Sequence, residues 1–97
     1  MNSKLKDTYT DYLFKCVLSL QTEEECYRFF EDLCTISELK AMSQRMWVAK
    51  MLTEQKIYSD IAQVTGASTA TISRVNRCLN YGADGYQLVL KRIANDE

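Results

Sequence analysis

Ser68, Thr69, Ala70, Thr71, Ser73, Arg74 and Arg77 lie within ten residues of one another and offer hydroxyl, methyl and guanidinium groups. A hydroxyl can exchange hydrogen bonds with a base edge, and a threonine methyl can rest against the methyl of thymine. A guanidinium pairs with phosphate oxygens. Such short side chains at a helix N-terminus let the backbone sink into a DNA major groove. The chemistry needs a helix held at the surface, and residues 57–79, IYSDIAQVTGASTATISRVNRCL, can supply one. Ser59 to Thr65 predicts a first helix with Ile61, Ala62 and Val64 as its apolar residues. Gly66 is suited to the positive φ of a tight turn. Ser68 is the expected N-cap, its oxygen free to accept an orphan backbone N–H. A second helix is predicted from Thr69 to Leu79, with Ile72, Val75 and Leu79 on one stripe. Ala62, four residues before Gly66, is small enough for two helices to cross at roughly 100°. An ordinary helical hairpin with a serine cap is the plainer alternative. The combination of Ala62, Gly66, Ser68, Ile72, Val75 and Arg74 favours a helix-turn-helix with double-stranded DNA as its partner.

Other chemistries are poorly served. The chain has no histidine, and its four cysteines, at 16, 26, 34 and 78, form no C-x-x-C pair. Zinc therefore lacks a ligand set, and no metal or other cofactor is expected. Cys16, Cys26 and Cys34 fall on apolar helical stripes, where buried thiols are expected. Reduced cysteines and the absence of an apolar leader in MNSKLKDTYTDY point to the cytoplasm. Serine and cysteine nucleophiles have no evident base partner, and Glu31-Asp32 reads as a solvated surface pair, so catalysis is not expected. No aromatic platform for unstacked RNA bases stands apart from the predicted core.

Charge argues for a specific contact. The net charge is −1, whereas bulk DNA affinity comes mainly from phosphate neutralisation. Residues 1–55 carry seven basic and nine acidic side chains, and residues 56–97 five and four. Without Asp96 and Glu97 the second segment reaches +3. Bulk DNA should be bound weakly. The acidic pI of about 5.5 also suits a rival reading, a helix-turn-helix used for protein contact within the transcription machinery. Salt-sensitive DNA binding separates the two.

Ninety-seven residues predict one domain over 1–97. With no proline, three glycines and 46% hydrophobic residues, the chain is expected to be all-α and folded. No apolar run reaches the length of a membrane span. A first helix is predicted over about 4–20 from the stripe Leu5, Tyr9, Tyr12, Leu13, Cys16, Val17 and Leu20. Thr22 with Glu25 is a capping box for a second over 23–34, which would bury Cys26, Tyr27, Phe29, Phe30 and Leu33. Thr35 with Glu38 repeats that pattern before a third over about 36–54. Leu39, Met42, Met46, Ala49 and Leu52 would face inward there, with Trp47 and Val48 widening the apolar face. Asn80-Tyr81-Gly82-Ala83 predicts a loop, and Asp84 a cap for a last helix carrying Tyr86, Leu88, Val89, Leu90 and Ile93. Six helices with this many apolar faces exceed what one small chain can bury. The first, second and last are expected to pair across a homodimer, and a palindromic operator follows from its symmetry.

From about Leu33 to Leu79 the chain resembles the Trp repressor superfamily, through CTISELKAMSQR and GASTATISR. Nearly the whole chain is similar to the small Trp-repressor-like regulators of the YerC/YecD type, especially through TEEECYRFFEDLCT and TGASTATISRVNRCLNYG. The resemblance implies an intertwined all-α homodimer acting as a repressor. It also implies a candidate effector pocket, in which two arginines flank an indole and a threonine helps hold the amino acid. The matching positions are Arg45, Arg74 and Thr35. The sensing proteins have glycine after the second arginine, and this chain has Val75. A valine there should fill the indole's space, so DNA binding without tryptophan as corepressor is expected.

Overall fold

The computed structural model describes residues 3–96, which contain six helices and no strand. They are α1 (Thr8–Leu18), α2 (Glu23–Leu33), α3 (Ile36–Thr53), α4 (Tyr58–Thr65), α5 (Thr69–Tyr81) and α6 (Gly85–Asp96). The all-α class is as expected. The chain forms two units, one ending at Ile36 and the other beginning at Ser37.

In the first unit, Asp7 starts α1 later than the apolar stripe suggested. Its backbone is extended and its Oδ1 accepts the Thr10 N–H at 2.7 Å. The helix stops before Ser19, whose hydroxyl donates to the Cys16 carbonyl at 2.6 Å. Thr22 caps α2 by accepting the Glu25 N–H at 3.1 Å, and the Glu25 carboxylate reaches back to the Gln21 N–H at 2.8 Å. Cys34 is extended and ends α2 at Leu33. Phe29 and Phe30 meet edge to face with ring centroids 5.3 Å apart. Neither α1 nor α2 contains a buried residue. The expected burial of cysteines is corrected accordingly: Cys26 is exposed, and Cys16 and Cys34 are half-buried. Within this unit, two short helices do not enclose a thiol.

The second unit holds the core: Val48, Ala49 and Met51 of α3, Ile61 of α4, Ala67 of the turn, and Ile72, Val75 and Leu79 of α5. On α3 this matches the predicted face at Val48 and Ala49 and departs from it elsewhere. Val48, Ala49 and Met51 face inward, whereas Leu39, Met46 and Leu52 are half-buried and Met42 and Trp47 exposed. Apolar residues occur around much of the helix, and periodicity alone does not choose which arc is covered. A Schellman motif closes α3, with the Lys56 N–H donating to the Met51 carbonyl and the Gln55 N–H to that of Leu52. Gln55 takes the left-handed position at φ 63°.

Two residues expected in the loop, Asn80 and Tyr81, extend α5 instead. The helix ends at Gly82, where a Cβ would run into the Cys78 carbonyl. Asp84, at φ 64°, precedes α6 and accepts the Leu88 N–H through its backbone carbonyl. Tyr86 and Leu90 pack on the core. Leu88, Val89 and Ile93 stay exposed.

Candidate nucleic-acid interface

The helix-turn-helix is built as its residues predict. Gly66 ends α4 in the left-handed region, φ 72° and ψ 6°, and its N–H donates to the Ala62 carbonyl at 2.9 Å. Ser68 caps α5: its Oγ accepts the Thr71 N–H at 3.1 Å and lies 3.1 Å from the Thr71 hydroxyl. Its carbonyl accepts the Ile72 N–H at 3.0 Å. Ile61, Ile72, Val75 and Leu79 are buried, and Ala62 packs against them half-exposed. Val64, the third apolar residue of α4, is 63% exposed.

With Ile72, Val75 and Leu79 turned inward, the opposite face of α5 is open. Ser68, Thr69, Ala70, Ser73, Arg74 and Arg77 are all exposed, and Thr71 is half-buried. The Thr71 hydroxyl is engaged with the cap, so its first task is local. Among the described residues no carboxylate pairs with Arg74 or Arg77, since the ion pairs seen there are Lys6–Asp11 and Lys50–Glu54. The first turn of α5 carries no acidic residue. Beyond the Thr71 N–H that Ser68 takes, the positive end of its dipole is left for an external anion.

The residues matched to an effector pocket can each be placed on their own elements. Val75 is 1% exposed and belongs to the core. Arg45 is half-buried on α3, and Arg74 faces outward on α5. Thr35 is exposed and directly precedes α3. Among the described residues no cluster of histidine, cysteine or carboxylate side chains could hold a metal ion. No helix is long and apolar enough to cross a membrane.

The motif reading missed Gln44 and Thr65. Gln44 of α3 donates from Nε2 to the Thr65 carbonyl at 3.1 Å. The Thr65 hydroxyl donates to the Ile61 carbonyl at 2.7 Å and accepts the Ala67 N–H at 3.1 Å. A polar residue near the apolar arc of α3 and a threonine just before the turn glycine were the available signals.

Residues 9–94 match the Trp repressor protein family. The chain is 55% identical to YerC of Bacillus subtilis, an uncharacterized protein, over 97% of this chain and 90% of that one. Among solved structures, a TrpR-like protein from Eubacterium eligens matches with a TM-score of 0.92 and 58% identity over 96% of each chain. A candidate Trp repressor from Staphylococcus aureus matches with a TM-score of 0.91 and 49% identity, over 94% of this chain and 91% of that one. Family, sequence and fold agree along nearly the full length: the chain belongs to the Trp repressor family, a family of regulators and not of enzymes.

Proposed function

We propose that this protein is a sequence-specific DNA-binding transcriptional regulator, a cytoplasmic repressor that occupies a palindromic operator as a homodimer. The observation that carries the reading is the outer face of α5. Small side chains crowd its N-terminus, its dipole is uncompensated, and Arg74 and Arg77 have no described carboxylate partner. In this reading Ser68, Thr69, Ala70, Thr71 and Ser73 meet base edges or adjacent phosphates, and the two arginines hold phosphates.

Dimerisation is supported by what one chain leaves uncovered. Leu5, Tyr9, Tyr12, Phe14, Leu18 and Tyr27 are exposed in the first unit. In the second, a groove of about 750 Å³ runs between α3 and α6 and is lined by Met46, Trp47, Val89, Leu90 and Ile93, among others. Large apolar side chains left exposed together are what an association surface supplies. Residues 1–97 then form one family domain, completed by a second copy of the chain.

Tryptophan is not the corepressor in this proposal. Val75 occupies core volume beside Arg74, and forcing a ligand into packed volume costs roughly 1–3 kcal/mol or more in strain. Arg45 and Arg74 are then free for other anions, DNA phosphate first.

Selection of bound fragments from genomic DNA, run with and without cell metabolites, tests the function. Enrichment of one palindromic site, equal in both arms, is expected. An absence of enrichment defeats the DNA reading. Enrichment only with metabolites defeats the effector-free one.

A further inference from the structure

Apolar packing joins α4 and α5 to α3 without fixing their angle. Val48 and Ala49, Ile61, and Ile72 and Val75 form one buried cluster, and burial of this kind is non-directional. At 13 residues and 1.5 Å per residue, α5 is roughly 20 Å long, so a tilt of about 5° moves an end by about 1 Å. That is enough to spoil a base-edge hydrogen bond, whose donor–acceptor distances span only about 0.5 Å.

A directional restraint is present at the turn. Gln44 reaches across 21 residues of sequence to donate to the Thr65 carbonyl at 3.1 Å. Thr65 is the last residue of α4. Its hydroxyl holds α4 backwards through the Ile61 carbonyl and the segment before Ser68 forwards through the Ala67 N–H. The Gln44 amide therefore grips the residue from which both sides of the turn are held. Folding alone does not require this, because a carbonyl at a helix C-terminus can take a water molecule instead.

We propose that Gln44 is a positioning residue for DNA recognition: its side-chain amide clamps the turn to α3 and sets the angle at which α5 meets the duplex. The inference rests on the DNA-binding reading above. It makes the recognition angle a property of the chain itself, set by a hydrogen bond within one subunit.

Gln44→Met keeps the length of the side chain and removes the donor. Gln44→Glu keeps the shape and turns a carboxylate oxygen toward a carbonyl. Each is compared with the unaltered protein by fluorescence anisotropy on the selected operator and on a random duplex, at several salt concentrations. Folded fractions are matched by circular dichroism. The operator-over-random affinity ratio should fall about tenfold in both variants, the scale of one net hydrogen bond. Affinity for the random duplex and its salt slope should not change. A residue that merely supports the fold lowers both affinities together and leaves the ratio intact. An unchanged ratio, or loss of helical signal by Gln44→Met at room temperature, overturns the proposal. If the unaltered protein binds no duplex at any salt, the DNA reading itself fails and takes this one with it.

Discussion

Arg77 and Thr69 lie on the same exposed face of α5 but serve different purposes in this account. Arg77 is an unpaired guanidinium placed for phosphate, and phosphate contacts position without reading sequence. Arg77→Ala should weaken operator and random duplexes by similar factors and reduce the salt slope by about 1. Thr69 stands at the first position of α5, where its methyl and hydroxyl can reach a base edge. Thr69→Ala should alter the ranking among operator variants and leave the salt slope unchanged. Anisotropy titrations of both proteins check the division, and identical behaviour of the two variants contradicts it. Val75 makes a second residue-scale claim. Titration calorimetry with millimolar L-tryptophan should give no saturable heat, because that side chain fills core volume. Micromolar binding coupled to tighter operator binding would refute it. The α5 face was legible in the sequence because each signal was local: a turn glycine, a serine cap and a stripe at helical spacing. The Gln44–Thr65 bond was not, because it joins residues 21 apart that no local sequence signal relates.

Among the elements, ends and faces were read with unequal success. The start of α2 after Thr22 and the start of α5 after Ser68 followed from side-chain caps. The start of α1 was read too early because the stripe from Leu5 was given precedence over the cap at Asp7. The inward arc of α3 was read only in part, at Val48 and Ala49, because the helix has apolar residues on several sides. Two predictions belong here. Gln55 occupies a left-handed position at φ 63°, which costs an L-residue roughly 1 kcal/mol relative to glycine. Gln55→Gly should therefore raise the unfolding midpoint by several degrees in thermal denaturation. A lower midpoint means the turn is held by the glutamine itself. The second concerns the α1 cap. The Thr10 N–H donates to the Asp7 carboxylate and holds its pKa below the usual carboxylate value. A depressed pKa in the folded state means that the cap contributes above the ordinary carboxylate range and is lost as pH falls through the lowered value. The Thr10 amide resonance should titrate below that range, and Asp7→Asn should abolish the titration. A midpoint at or above the ordinary value contradicts the cap.

For the whole molecule, exposed apolar residues occur on all six helices, whereas the core draws on few of them. Among the described residues, every buried one belongs to α3, α4, α5 or the turn at Ala67, and none to α1, α2 or α6. The sequence showed the excess of apolar faces, but not which helices would close a core within one chain. In the proposed dimer two α5 helices sit roughly 34–36 Å apart, one turn of duplex. The central claim is that this pair of helices reads DNA, and the most direct measurement is an anisotropy titration of the selected operator across about 50 to 200 mM salt. Two chains should bind per operator, with affinity falling steeply as salt rises and palindromic half-sites required in both arms. Binding by a single chain, affinity indifferent to salt, or equal affinity for operator and random duplex would contradict it.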